Sequence, residues 1–305
     1  MASSLDLDKV IAYQAYVQEF APELIKIAMQ GFATAANLSE ETDVQGKRTF
    51  TIRKSLKRVL KPFTGSYSAD ADQFDHIPRH LIMSTATAEA NVVPSDIRGT
   101  YLGGAALPSQ ETVPAFVTEW IGDFLLRMQV DIEELIWEGD TGESGILGTF
   151  NGFSKQIAVA IAASELTEVA TGTVTAADVK DQFMSVYRKV SAANRKLGGM
   201  KLYTSLANIE LYADKYQSDI LKFTNPNEVK LTLFGTDCTL VDVPSWEGTD
   251  KILVAPQSAM KYGYNNAGRI KTIEQHYHIE NSAPVEIGAL ITTPFDGEIA
   301  VNDGF

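Results

Sequence analysis

The sequence is short of cysteine, of cationic residues and of long apolar runs, and each shortage excludes something. A single cysteine, Cys238, leaves no partner for an intrachain disulfide and fits a reducing compartment. It lies in a strand-like run, where a thiol serves as a small core side chain. The longest uninterrupted apolar run, Ile157 to Ala163, is far below the roughly 20 residues that span a bilayer. The N-terminus, MASSLDLDKV, has no basic n-region. Neither a signal peptide nor a membrane span is predicted. Lys and Arg number 26 against 39 Asp and Glu, a net charge of −13. So acidic a chain argues against an autonomous nucleic-acid-binding module; if it meets DNA, it contains it rather than grips it.

What is present is a chain of 305 residues, 45% hydrophobic, enough for one large or two modest domains. Its organising stretch runs from Thr112 to Gly152. Val113, Phe116, Val117, Trp120, Ile121, Phe124, Leu125, Met128, Ile132, Leu135 and Ile136 recur at helical spacing, with Glu119, Asp123, Arg127, Asp131 and Glu134 opposite. The pattern predicts a helix over 112–138, capped by Thr112, with Pro114 in its first turn and Gly139 in a left-handed stop. At about 1.5 Å per residue this is a strut of roughly 40 Å.

Glycines at 139, 142, 145, 148 and 152 follow the strut. Asp140-Thr141-Gly142 matches the Asp-Thr-Gly of aspartic proteases, but that chemistry needs two carboxylates sharing a proton, and no second one can be located. The glycines begin where a helix ends and no Lys-Ser/Thr follows, so they do not read as a phosphate cradle. Gly142-Glu143-Ser144-Gly145 lacks the spacing of a nucleophile elbow. A turn requiring positive φ is the reading that remains.

The first 43 residues are apolar, with Leu5, Leu7, Val10, Ile11, Tyr13, Tyr16, Val17, Phe20, Leu24, Ile25 and Phe32. Two readings stand side by side: an arm that lies against its own and neighbouring subunits, or an ordinary pair of core helices. Lys47, Arg48, Arg53, Lys54, Lys57, Arg58 and Lys61 follow with no acidic residue among them, and these seven cations leave −20 on the rest of the chain. Strand and helix spacing compete here, and an intersubunit arm, a solvated face and nucleic-acid binding are all open. Asp70, Asp72, Asp75, His76 and His80 fail as an EF-hand, because Phe74, Asp75 and Leu81 stand where ligands or the turn glycine belong. His276 and His278 on one strand face lack a third ligand at fixed spacing. No metal, no cofactor and no catalytic residue is predicted.

Beyond the glycine turn, a Thr/Ala-rich stretch over 157–174 precedes a helix over 176–197, a strand at 201–204 and a helix over 206–216. Strands follow at 229–234, 238–243 and 251–255, with Ser218, Asn225, Pro226 and Asn227 on an intervening polar loop. This alternation indicates an α/β layer. The last third reads as strand over 269–280 and 285–294, packing back against the strut.

Trp137-Glu138-Gly139-Asp140, then Gly145-Ile146-Leu147-Gly148 and Asn151-Gly152, resembles the passage from spine helix to axial domain in tailed-bacteriophage major capsid proteins of the Hong Kong 97-like fold. The order over Leu211–Met260 is similar to that family too: helix, variable loop, Leu-Phe-Gly, a strand into Pro, then Ile-Leu-Val-Ala-Pro. The resemblance spans roughly residues 40–300 and implies an α+β fold. Its parts would be an N-terminal arm (1–43), a basic extended loop (44–100), a peripheral domain (101–149 and 256–305) with the spine helix, and an axial domain (150–255). It implies a self-assembling icosahedral head shell of pentamers and hexamers enclosing double-stranded viral DNA, assembled in the bacterial cytoplasm and carried in the virion. The seven cations would touch a neighbouring subunit, and the loop with Ser218, Asn225, Pro226 and Asn227 would face the capsomer axis. Portal and decoration proteins are candidate partners, and because the charged scaffolding segment that begins many family members is not seen before the basic loop, assembly is expected to use a separate scaffold or none. An encapsulin-like compartment and, distantly, a soluble aspartic-type hydrolase are the alternatives.

Overall fold

The computed structural model of the chain describes residues 24–56, 74–92, 113–219, 232–265, 271–275, 278–292 and 299–305. The helical stripe forms one element, α1, Val113–Glu138. Leu125, Met128, Ile132, Leu135, Ile136 and Trp137 are buried, while Asp123, Arg127 and Glu134 face solvent on the charged side. The chain stops at Gly139 for a reason other than handedness. A Cβ at Gly139 would lie 2.5 Å from the carbonyls of both Leu135 and Phe150, and one at Gly152 would lie 2.7 Å from that of Ile136. Close approach, cemented by Gly152 N–H donating to Gly139 O at 2.7 Å, requires the two glycines. Of the five glycines in this turn only Gly145 has positive φ, 81°.

Two sheets meet the spine. The larger contains β1 (Ser39–Thr42), β4 (Ser84–Val92), β8 (Met260–Tyr264) and β10 (His278–Ile291) in the order β1-β8-β10-β4, with β9 (Lys271–Gln275) also paired to β10. The smaller contains β5 (Met200–Thr204), β6 (Thr239–Asp242), β7 (Leu253–Pro256) and β11 (Ala300–Val301) in the order β11-β7-β5-β6. Strand alternation sorts the smaller sheet between two cores. Leu202, Leu240, Val254 and Ala300 face one core with Val179, Phe183, Val186 and Tyr212. Tyr203, Val241, Leu253, Ala255 and Val301 face the other, shared with the spine, Tyr262, Tyr264, Val285 and Ile287.

Several expectations change. Residues 153–162, which overlap the start of the Thr/Ala-rich stretch given no element above, form helix α2 (Phe153–Ala162), with Phe153, Ile157 and Ala160 inward. Gln156 on this helix acts as a strand mimic: it donates to Ala289 O at 3.0 Å and accepts from Ile291 N at 3.1 Å. The helix expected over 176–197 is two, α3 (Val179–Lys189) and α4 (Ala192–Leu197), because Val190 is extended and the Ser191 hydroxyl caps Asn194 N–H at 3.3 Å. Helix α5 spans Leu206–Asp219. The strand expected over 229–234 is reduced, among described residues, to a bridge from Thr232 to Thr239. The strand expected over 269–280 is, among the described residues, two strands that pair antiparallel, with His278 opposite Gln275.

Residues 24–31 are helical and Ile25, Ala28, Met29, Phe32, Ala35 and Leu38 lie in the spine core, as the core-helix reading of this segment expects. Residues 299–305, expected with the peripheral strands, return to the smaller sheet through β11.

Candidate functional site

The basic segment is strand. β2 (Lys47–Leu56) pairs antiparallel with β3 (Phe74–Ile82) from Lys47↔Ile82 to Leu56↔Phe74, with a register shift after Arg53. This resolves the competition between strand and helix spacing for Lys47, Arg48, Arg53 and Lys54. Lys57, Arg58 and Lys61 lie outside the described residues, as do Asp70, Asp72, His276, Asn225, Pro226, Asn227 and the whole of residues 1–23. Ser218 falls in the last turn of α5.

A two-stranded ribbon is marginal on its own, so its root must be fixed by something else. Gly263 and Gly288 are cross-strand partners in the larger sheet and leave a dimple there. Leu81, fully buried, fills it: a Cβ on Gly263 would lie 2.6 Å from its Cδ2, and one on Gly288 would lie 2.4 Å from Ile82 O. Val44 and Leu290 close the small core around it. Charge holds the same root. Glu41 on β1 accepts from Arg48 at 2.8 Å and from Lys261 at 2.6 Å, and both cations lie over the Phe50 ring. Arg48 therefore has a partner within its own chain. At half-exposed separation such a pair is worth about 0–1 kcal/mol, so Leu81 dominates the anchorage.

The second place where elements converge is the C-terminal end of α1. Trp137 packs edge-on to Phe153 at 5.0 Å and Trp246 at 4.8 Å, and meets Tyr203 at 5.3 Å, joining the spine, α2 and the smaller sheet. Glu138 accepts from Lys251 at 2.7 Å and from Ser154 at 2.7 Å, and Trp246 Nε1 donates to Ser154 Oγ at 3.1 Å. Asp140 accepts from Lys155 Nζ at 2.7 Å and from Gly142 N at 2.9 Å, and the lysine and then the amide hold its carboxyl below the usual range. A carboxylate so stabilised is organised as a turn staple, the opposite of a proton-sharing dyad. Sequence reasoning missed Trp246, Ser154 and Lys251, which are far apart in the chain and carry no local pattern.

Cys238 is buried, and burial pushes its thiol up to about 12. His80 Nδ1 lies 3.1 Å from Thr49 Oγ1 across the ribbon. Among the described residues no group of three or more His, Cys, Asp or Glu is arranged to hold a metal, and no helix is long and apolar enough to cross a membrane.

A long spine helix, a two-stranded ribbon at its flank, one sheet packed on the spine and an α/β sheet at its end together make a distinctive architecture. It overlays the satellite phage P4 procapsid, the one that includes the size-determination protein Sid, with a TM-score of 0.57 over 100% of this chain and 98% of that one, at 11% identity. This is the Hong Kong 97-like fold of tailed-phage major capsid proteins. The capsid of the native GTA particle has it too, with a TM-score of 0.56 at 12% identity over 88% of this chain and 89% of that one. So does a virus-like particle from Pyrococcus furiosus, with a TM-score of 0.54 at 11% identity over 95% and 99%. At such identities the likeness is one of fold. No protein-family model matches the sequence, and no curated protein matches it.

Proposed function

We propose that this chain is the major capsid protein of a tailed double-stranded DNA virus, a structural subunit that assembles as pentamers and hexamers into the icosahedral head. The observation that carries the reading is the end-to-end likeness to a chain of a phage procapsid, in which both chains are covered almost entirely. In this reading residues 44–100 are the extended loop and 150–255 the axial domain, with Ser218, Asn225, Pro226 and Asn227 at the capsomer axis. Lys47, Arg53, Lys54, Lys57, Arg58 and Lys61 meet carboxylates of a neighbouring copy; Arg48 serves the root of its own ribbon. Portal and decoration proteins are its partners in the head, the assembled subunit resides in the virion, and the Asp140 turn has no catalytic role.

The Pyrococcus furiosus particle favours a second reading, an encapsulin-like shell that holds protein cargo. Electron microscopy of the purified protein tests the shared premise, and nuclease-protected DNA of uniform length in particles from infected or induced cells separates the two. Only monomers across concentration and salt would overturn both.

A further inference from the structure

One buried charge has no part in the packing described above. Glu133 is 4% exposed on the spine, and its Oε2 accepts from both Thr34 N (3.1 Å) and Thr34 Oγ1 (2.9 Å). The same hydroxyl accepts from Trp137 Nε1 at 2.9 Å. Thr34 is itself fully buried and links the helical segment 24–31 to β1, so this contact fastens the N-terminal part of the core to the spine across a sequence separation of 99 residues. Among the described residues Glu133 Oε1 has no hydrogen-bond partner, nor has the buried Oδ1 of Asp242. A neutral carboxyl suits such a place, with its proton on Oε1 and Oε2 left as acceptor; an ionised one leaves half a charge unsolvated.

We propose that Glu133 is a proton-operated latch, holding residues 32–38 against the spine helix when neutral and loosening them when ionised. Among the described residues, the surrounding groups leave it no counter-charge. From β6, Asp242 adds negative charge and is itself raised by burial. From β5, Lys201 and Tyr203 are committed to Asn37, donating to its Oδ1 and O at 2.8 Å each. Glu40 at the start of β1 is held by Gln30 and Tyr264, and Glu138 on the spine by Lys251 and Ser154. Burial, opposed only in part by the Thr34 and Trp137 hydrogen bonds, pushes the Glu133 carboxyl up to about 7 from an ordinary 4.5. Because the native value lies above the released one, stability from this group is full below about 4.5, falls as pH rises towards 7, and is lowest above it.

Hydrogen–deuterium exchange of the folded full-length protein, corrected for intrinsic base catalysis, tests the latch at the Thr34–Leu38 amides. Opening of this segment should rise about 30-fold between pH 5.5 and 8.5. Glu133→Gln keeps an acceptor for Thr34 without the charge, and should hold opening at its low-pH level throughout. The infrared band of a protonated carboxyl should persist in the wild type at pH 6 and vanish in Glu133→Gln. pH-independent opening in the wild type would overturn the latch. So would a carboxyl titrating near 4.5 in the wild type, a result that stands even where the variant fails to fold.

Discussion

Leu81 and the glycine pair beneath it show how much of an element can rest on one side chain. The β2–β3 ribbon has few other apolar attachments at its root, and Leu81 is fully buried against Gly263 and Gly288. Leu81→Ala should lower global stability by about 2–5 kcal/mol, as a shift of the denaturant midpoint, and should expose the ribbon to limited proteolysis. Gly288→Val should do the same from the opposite side, since its Cβ would meet the Ile82 carbonyl, which cannot rotate away as a side chain does. Cys238 makes a separate residue-scale case. Burial raises its thiol to about 12, so at pH 8 the thiolate is scarce and shielded. A maleimide should leave the folded protein unmodified and label it fully after denaturation; rapid labelling of the native chain would place Cys238 at an accessible surface.

At the scale of elements, the ribbon and the spine divide the work. The spine is a rigid member because nearly every turn from Leu125 to Trp137 contributes a buried side chain. The ribbon is a projecting member with both strand edges unpaired among the described residues, which is how a sheet edge becomes a contact for another chain. Arg48 is engaged with Glu41, so under the proposed function the intersubunit role falls to the other six cations of the segment. The double reversal Arg53→Glu and Lys57→Glu should leave the thermal midpoint within a degree or two of wild type, because exposed charges contribute about 0–1 kcal/mol each. Assembly followed by light scattering should slow or stop, since complementary patches govern register and association rate. Unchanged shells from the double variant would put the segment on a free surface.

At the scale of the whole molecule, the charge distribution matters more than any pair. Under the proposed function, a total of −13 with seven cations grouped in one segment gives copies an electrostatic attraction where that segment meets the acidic remainder of another. Early assembly should therefore weaken as salt rises, because the Debye length falls from about 10 Å at 0.1 M to roughly 3 Å at 1 M. Closed shells, once formed, should resist the same salt if apolar burial then dominates; sedimentation before and after assembly separates the two regimes. Assembly equally fast at low and high salt would remove electrostatics from the mechanism.

What the sequence determined by itself was whatever is written in local period. The spacing of Leu125, Met128, Ile132 and Leu135 specified the spine, since a helix presents side chains at fixed intervals regardless of partner, and the continuous apolar run Ile252–Ala255 specified a strand buried on both faces. The order of elements around Gly139–Gly152 and Leu211–Met260 was enough to suggest the capsid fold. The tertiary structure decided everything that depends on contacts between distant segments. It turned Gly139 from a left-handed stop into a close approach, made residues 24–38 part of the core, and returned 299–305 to the smaller sheet. It buried Glu133, which in sequence is one more charge on a charged helix, behind Thr34. A residue's own neighbours fix its conformation, but only the packed chain fixes its solvent, and solvent decides what a carboxyl, a thiol or an apolar segment does.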